Sequence, residues 1–161
     1  MPQRVFTVSF PLDAEFIKDH QVLQFYAAYG KAFPKNNEEW ATVSFEDWYA
    51  KDCKTILVDG TTKSGGQESW DYFQNLYARF PKVERDVLSF IVVADDERHE
   101  YKLHANFNTK LFADGGSRVV EVPQSFVYTV GKSDAGKGTD GFQFRELRNY
   151  YDLRTLEGAF A

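Results

Sequence analysis

The chain has 161 residues, of which 43% are hydrophobic and 27% are charged, so its size and composition are those of one globular domain with a buried core. Nineteen basic and 24 acidic residues give a net charge of −5, which argues against nucleic acid and membrane surfaces as partners. The one cysteine, Cys53, cannot form an internal disulfide, and no apolar leader precedes Asp13, so we expect a cytoplasmic protein.

Helices are predicted in the first half of the chain. Asp13 is a candidate N-cap for one long helix, because the next residues contain neither Gly nor Pro before Gly30. Apolar and aromatic side chains recur along this stretch with helical spacing, at Phe16, His20, Leu23 and Ala27.

Shorter elements follow this helix. Ser44 is a candidate cap for the helical turn FEDWY, and the run KTILVDGTT predicts a strand that stops at an Asp-Gly turn. The segment QESWDYFQNLYARF keeps its aromatic residues at helical spacing until Pro81, which predicts a further helix ending there.

The second half of the chain is rich in residues that favour β-strands. Four long runs, separated by short turn sequences, predict antiparallel strands: VERDVLSFIVVAD, EYKLHANFNTKLFAD, RVVEVPQSFVYTV and GFQFRELRNYYDL. Helices followed by such a meander indicate the α+β class, with the helices on one face of a curved sheet. Because no repeat or linker divides the chain, residues 1–161 are predicted to form a single domain.

Alternation along the strands predicts which side chains face the helices. Apolar residues occupy the odd positions from 101 to 111, which puts His104 on the outer face unless a bulge re-aims it. The inward sets of the next two strands include Phe126 and Tyr151 together with two polar exceptions, Gln124 and Asn149. A buried amide needs a partner, either a ligand oxygen or a neighbouring hydroxyl or backbone group.

Motifs for cofactors are weak. The string GKSDAGKG at 131–138 fits the start of a phosphate-binding loop, but a glycine and then a strand follow where a hydroxyl residue and a helix are required. The three histidines show no metal-ligand spacing. The sequence therefore predicts neither a nucleotide nor a metal as cofactor.

Aromatic residues are unusually frequent, at 17% of the chain. Packing a domain of this size requires fewer, so an aromatic-lined pocket or an interface between proteins is expected. Trp40, Trp48 and Trp70 suit either a stacked planar ligand or ordinary core packing.

The order of elements, together with FYAAYGKAF, FEDWYAKDCKTILVDG and the ending NYYDLRTLEGAF, resembles the nuclear transport factor 2-like (NTF2-like) superfamily, in particular its SnoaL-like branch. The resemblance covers the chain from about Asp13 onward. It implies a cone-shaped, curved antiparallel sheet wrapped around three N-terminal helices, with an apolar cavity inside the cone. It also implies a homodimer formed through the convex face of the sheet.

The resemblance also suggests catalytic residues. Asp59 in VDG matches the general base of ketosteroid isomerase, although Asp-Gly is equally a common turn pair. Tyr26 and Tyr29 lie beside or at tyrosine positions used by ketosteroid isomerase and scytalone dehydratase, and His104 lies on a strand that carries a histidine in the latter. Gly30 stands where scytalone dehydratase has an aspartate.

The contacts to substrate implied alongside these catalytic residues come from the later elements. Gln124 falls near the strand position of an oxyanion donor in ketosteroid isomerase, and an amide can still donate there. Asn149, Trp70, Phe126 and Tyr151 complete the expected substrate-binding set.

Two functions follow from this reading. The first is a cofactor-independent acid–base enzyme, namely an isomerase, cyclase or dehydratase acting on a small hydrophobic oxygenated metabolite such as a polyketide or terpenoid intermediate. The second is a non-catalytic module that binds or transports a small ligand with the same fold. The polarity of the cavity distinguishes them, because an enclosed carboxylate favours the enzyme.

Overall fold

The structure, a computed structural model, describes residues 3–161 and alternates short helices with a long meander of strands. The helices are α1 (Ala14–Lys18), α2 (Gln21–Ala32), α3 (Asn37–Thr42), α4 (Gly66–Tyr77) and α5 (Leu153–Gly158). The strands are β1 (Arg4–Thr7), β2 (Tyr49–Ile56), β3 (Thr62–Ser64), β4 (Lys82–Asp95), β5 (Glu100–Ala113), β6 (Arg118–Lys132) and β7 (Phe142–Tyr151).

All seven strands belong to one sheet in the order β1-β4-β5-β6-β7-β2-β3. Neighbouring strands are antiparallel except for β2 and β7, which run parallel. The predicted four-stranded meander β4 to β7 is therefore confirmed, and the earlier strand β2 joins it at its far edge.

The sheet is interrupted by irregularities that bend it. The register between β4 and β5 shifts between Val87 and Ser89, and that between β6 and β7 shifts between Thr129 and Val130. An extra residue on one strand increases local bending and twist. The bent sheet leaves a concave face toward the helices, in agreement with the predicted cone-shaped α+β fold.

The core lies between this concave face and helices α2 and α4. Helix α2 buries one side, and its Phe25 and Tyr29 rings lie 5.0 Å and 4.7 Å from the Phe144 ring of β7. Along β5 the odd-numbered residues are buried and the even-numbered ones are not, as the alternation predicts. Burial of so many rings supplies most of the favourable free energy of folding.

The first helix differs from the prediction. Asp13 does cap it, accepting a hydrogen bond from the Glu15 backbone, but His20 has extended dihedral angles and separates α1 from α2. The His20 ring stacks on Phe6 of β1 at 4.5 Å. The single long helix was therefore wrong, because α1 turns aside to cover the edge strand.

Candidate functional site

A cavity of about 560 Å³ opens between α2 and the concave face of the sheet. Its wall comes from α1, α2, the segment up to α3, helix α4 and the inward faces of β2, β4, β5 and β6. The lining residues are mostly aromatic or aliphatic: Phe10, Leu12, Ala14, Ile17, Tyr26, Ala27, Tyr29, Gly30, Lys31, Phe33, Pro34, Lys35, Trp40, Tyr49, Phe73, Tyr77, Val83, Arg85, Val87, Phe107, Phe126 and Tyr128. Such a cavity has the size of a small-molecule site.

Tyrosines supply most of the hydroxyl groups of the wall. The hydroxyls of Tyr29 and Tyr49 are 3.0 Å apart, and the rings of Tyr26 and Tyr128 are 5.7 Å apart. Burial raises the pKa of each of these four tyrosines above its ordinary value. These hydroxyls therefore remain protonated near neutral pH and serve as hydrogen-bond donors, not as bases.

Arg85 is the charged residue set most deeply into the wall. It lies on β4 between the other inward residues Val83 and Val87, and its guanidinium carbon is 4.6 Å from the Tyr77 ring centroid and 5.1 Å from that of Phe33. Within residues 3–161, no carboxylate lies within ion-pair distance of it.

The protonation state of Arg85 follows from its surroundings. Burial lowers the pKa of Arg85, but the oxygens of Tyr77, Tyr128 and Tyr29 raise it by more, and the pKa lies above its ordinary value. The guanidinium is therefore charged at any physiological pH.

The remaining charges of the cavity are also positive. Lys31 and Lys35 are exposed and stand at its mouth. The lining contains no aspartate, glutamate or histidine among residues 3–161. An acidic chain therefore encloses a cavity whose own charges are cationic.

Asp59, the candidate base, lies outside the cavity. It is exposed at the turn between β2 and β3, where its carboxylate accepts a hydrogen bond of 2.8 Å from the Thr61 backbone N–H. That hydrogen bond lowers the pKa of Asp59, the opposite of the shift that an enclosed base requires. The placement expected from the resemblance is wrong, and the alternative of an ordinary Asp-Gly turn is right.

His104 also lies away from the cavity. It is exposed on the outer face of β5, paired with Ile91 of β4 and Val127 of β6, with no bulge at its position. The alternation predicted this face correctly, so His104 is not placed to act on a molecule held in the cavity.

The two buried amides lie on the concave face but do not line the cavity. Gln124 accepts a hydrogen bond of 2.9 Å from the Thr109 hydroxyl, while its amide nitrogen has no partner. Neither side-chain atom of Asn149 has a partner within the described residues. Their position therefore does not match their predicted role in substrate binding. Phe126, which pairs with Asn149 across β6 and β7, lines the cavity instead.

Two aromatic candidates also lie behind the wall. Trp70 packs in the core at 5.1 Å from Trp40 and 5.2 Å from Tyr49, which are the residues that reach the cavity. The Tyr151 hydroxyl is 3.3 Å from that of Tyr72, outside the lining. Both are corrections to the expected substrate-binding set.

Tyr26, Tyr29 and Phe126 are the predicted site residues that the fold brings together at the cavity. Arg85, Tyr49, Tyr77 and Tyr128 complete it and were not singled out as site residues. The signal for Arg85 was present in VERDV, where a charged residue occupies an inward position between two valines.

Two further classes of site have no support in the described part of the chain. Residues 3–161 contain no group of three or more His, Cys, Asp or Glu side chains that could hold a metal ion. None of the helices described has the length and apolar character needed to cross a membrane.

Comparison with known proteins identifies the fold. No protein-family model matches the sequence. No curated protein matches it significantly. Solved structures do match over most of the chain, at low sequence identity.

Three of these structures illustrate the likeness. A proposed dehydratase of the NTF2-like family from Streptomyces avermitilis has a TM-score of 0.64 at 12% identity, over 87% of this chain and 99% of that one. The S. rosetta CaMKII hub has a TM-score of 0.62 at 13% identity, over 82% and 95%. A proposed SnoaL-like polyketide cyclase from Jannaschia sp. CCS1 has a TM-score of 0.54 at 15% identity, over 94% of both chains.

These matches confirm the fold that the sequence predicted. The chain has the NTF2-like fold, in which a curved α+β cone surrounds a cavity, and SnoaL-like proteins are among the structures that share it. At such low identity the likeness establishes the fold and not the activity.

Proposed function

We propose that this protein is a non-catalytic module that binds a small, largely apolar and oxygenated molecule inside the cone. The observation that carries the proposal is the cavity of about 560 Å³, walled by aromatic rings and hydroxyl donors. Ligand sites of this kind are mostly apolar, with a few polar groups that orient the ligand.

The wall offers two kinds of interaction to such a molecule. Rings such as Phe73, Phe107 and Phe126 provide apolar contact, and Phe107 and Phe126 meet edge to face at 5.9 Å. The protonated hydroxyls of Tyr26 and Tyr128 provide donors for an oxygen atom of the ligand.

The character of the wall favours binding over acid–base conversion. Proton abstraction needs a group that accepts a proton near the working pH. The described lining offers hydroxyls with raised pKa values, two lysines and one guanidinium, while Asp59 and His104 lie elsewhere. The dehydratase and cyclase names of the similar structures belong to those proteins, so they do not supply the missing base.

A substitution at Gly30 tests this proposal. Gly30 lies inside α2 and lines the cavity, and a Cβ atom there would meet no atom within 4 Å. The change Gly30→Trp therefore places a large side chain at the mouth with room for its Cβ atom, and loss of a helical glycine favours folding by about 0.5–1 kcal/mol. Gly158→Trp is the matched control, because Gly158 is also helical and unobstructed but lies in α5, away from the cavity.

The measurement is binding of the neutral probe 2-naphthol by isothermal titration calorimetry. We expect wild type and Gly158→Trp to bind it alike and Gly30→Trp to bind it roughly tenfold more weakly. Equal binding by all three proteins, or no binding by wild type, would contradict a ligand site in the cavity.

The homodimer expected from the resemblance stays a proposal. Its surface would be the outer face of the sheet, where Ile91, His104, Val127 and Arg148 lie in one row across four strands. Ile91 is 39% exposed, so a charge placed there meets a partner only if this face is buried between copies. Sedimentation should show a dimer for wild type and a monomer for Ile91→Lys, and a wild-type monomer would rule the proposal out.

A further inference from the structure

Arg85 is a partly buried cation without a counter-ion. It points into the cavity from β4, and within residues 3–161 no aspartate or glutamate forms an ion pair with it. Taking a charge out of water is costly unless an opposite charge or dipoles replace the water. The rings of Tyr77 and Phe33 provide part of that replacement through cation–π contacts at 4.6 Å and 5.1 Å. They carry no negative charge.

A second polar group at the same place also lacks a partner. The hydroxyl of Tyr77 is buried and has no hydrogen-bond partner among the described residues, although Tyr77 is only 4% exposed. Its oxygen lies close enough to Arg85 to raise the pKa of that guanidinium, but its O–H has no acceptor among the described residues, since a guanidinium only donates. Buried hydroxyl groups almost always have a partner, so this pair of groups points to an acceptor supplied from outside the chain.

The entrance has the same sign of charge. Lys31 and Lys35 stand at the mouth of the cavity, and neither forms an ion pair with a described residue. Cations at an entrance attract an anion and raise its local concentration. This arrangement occurs in a chain of net charge −5, so an overall basic character does not account for it.

We propose that the ligand of this cavity is a small monocarboxylate with an apolar or aromatic body. This inference rests on the proposed function and names the class of ligand. The carboxylate pairs with the guanidinium of Arg85 and accepts a hydrogen bond from the Tyr77 hydroxyl, while the body lies among rings such as Phe107 and Phe126. One inner guanidinium balances one negative charge, which favours a carboxylate over a phosphate dianion.

A matched pair of probes tests the charge directly. 2-Naphthoate and 2-naphthamide have nearly the same shape, but only the first is an anion at neutral pH. Binding of both is measured by calorimetry to wild type, to Arg85→Gln and to Arg85→Lys. Arg79→Gln is the control, because Arg79 also faces an aromatic ring, at 4.9 Å from Phe160, but does not line the cavity.

We expect wild type and Arg79→Gln to bind the carboxylate roughly tenfold or more tightly than the amide. Arg85→Gln should lose the preference and bind the two probes with similar affinity, and Arg85→Lys should keep part of the preference. Tyr77→Phe, which keeps the ring beside Arg85, should weaken binding of the carboxylate more than binding of the amide, because a hydrogen bond to a charged acceptor is the stronger one.

The outcomes separate the two proposals. Equal binding of the two probes by wild type, or a preference for the carboxylate that survives in Arg85→Gln, overturns the carboxylate inference and leaves ligand binding intact. Binding of neither probe nor of 2-naphthol by wild type overturns the proposed function and this inference with it. If Arg85→Gln does not fold, a preference for the carboxylate that is reduced in both Arg85→Lys and Tyr77→Phe supports the inference, and a preference that is unchanged in both overturns it.

Discussion

Two arginines on separate strands of the same sheet have opposite surroundings. Arg145 on β7 donates to Asp134 at 2.9 Å and to Asp52 at 3.2 Å, and also to the Lys132 carbonyl. Arg85 on β4 lies against rings and has no carboxylate beside it in the described chain. Carboxylates therefore neutralise the arginine that joins elements at the surface, whereas the arginine in the cavity has no carboxylate partner in the described chain.

The difference is chemical as well as geometric. Arg145 connects β7 to β2 and to the loop after β6, so its partners help to hold these elements together. Arg85 makes no such connection. An anion that enters the cavity and pairs with Arg85 would offset the free energy that it costs to take this charge out of water. If this difference is real, changes at the two arginines and their neighbours should have different effects on the free energy of unfolding.

The largest expected effect comes from extremes of pH. The four buried tyrosines Tyr26, Tyr29, Tyr49 and Tyr128 have pKa values raised above 10.0 in the folded state. Their contribution to stability is complete below pH 10 and is lost as the pH rises toward the folded pKa, by about 1.4 kcal/mol per pH unit for each group. The urea midpoint should therefore fall steeply as the pH rises above about 10.

The surroundings of Arg145 respond at the other end of the scale. The Lys51 backbone N–H, and then Arg145, lower the pKa of Asp134 below 3.8, so its contribution is present above that pH and is lost as the pH falls through the folded pKa. For the tyrosine prediction, a free energy of unfolding that is constant from neutral pH to pH 11 would show that burial does not raise the pKa values of these four tyrosines.

The second prediction concerns the two arginines themselves. Arg145→Met removes two charge-assisted contacts, one with the exposed Asp52 and one with the partly exposed Asp134, and should lower the free energy of unfolding by about 1 kcal/mol. Arg85→Met removes an unpaired charge from an aromatic wall and should leave that free energy unchanged or raise it by up to about 1 kcal/mol. Urea denaturation of both variants checks this, and the reverse order would mean that Arg85 is structural.

The third prediction compares two tyrosine hydroxyls of the cavity. Tyr29→Phe breaks the 3.0 Å contact with the Tyr49 hydroxyl and should cost about 1 kcal/mol. Tyr77→Phe removes a hydroxyl that has no partner and should be neutral or slightly stabilising in the empty protein. A loss at Tyr77 equal to that at Tyr29 would show that its hydroxyl already has a partner.

The smallest effect is expected at Asp59. Asparagine can accept the same hydrogen bond from the Thr61 backbone, so Asp59→Asn should leave the urea midpoint of unfolding essentially unchanged. Binding of 2-naphthoate should be unchanged and also constant between about pH 6 and pH 9, because the described lining contains no aspartate, glutamate or histidine. An enzymatic activity that wild type shows and Asp59→Asn lacks would contradict the binding proposal and favour the acid–base enzyme.

Much of the fold could be predicted because its signals are local. Pro81 follows the helix it was expected to end, Ser44 caps its turn by accepting from the Glu46 backbone, and the four long strands pair in sequence order. The short strand β1 escaped prediction, since it spans only Arg4–Thr7 and depends on pairing with β4. The parallel pairing of β2 with β7 likewise joins residues about a hundred positions apart.

The site was harder to predict for the same reason. Alternation placed Phe126, Gln124 and Asn149 on the inner face correctly, yet only Phe126 reaches the cavity. Asp59 was selected from a resemblance that local turn chemistry overrode, since the Thr61 backbone holds its carboxylate in solvent.

The sequence by itself determined the periodicities, and with them the class of fold and the inward direction of Phe126, while Tyr26 and Tyr29 were suggested by the resemblance. Only the tertiary structure decided which inward polar group meets open space. Gln124 and Asn149 are packed, whereas Arg85 faces the gap between the bent sheet and α2. The width of that gap depends on bulges and helix placement far apart in the chain, so no pattern of neighbouring residues specifies it.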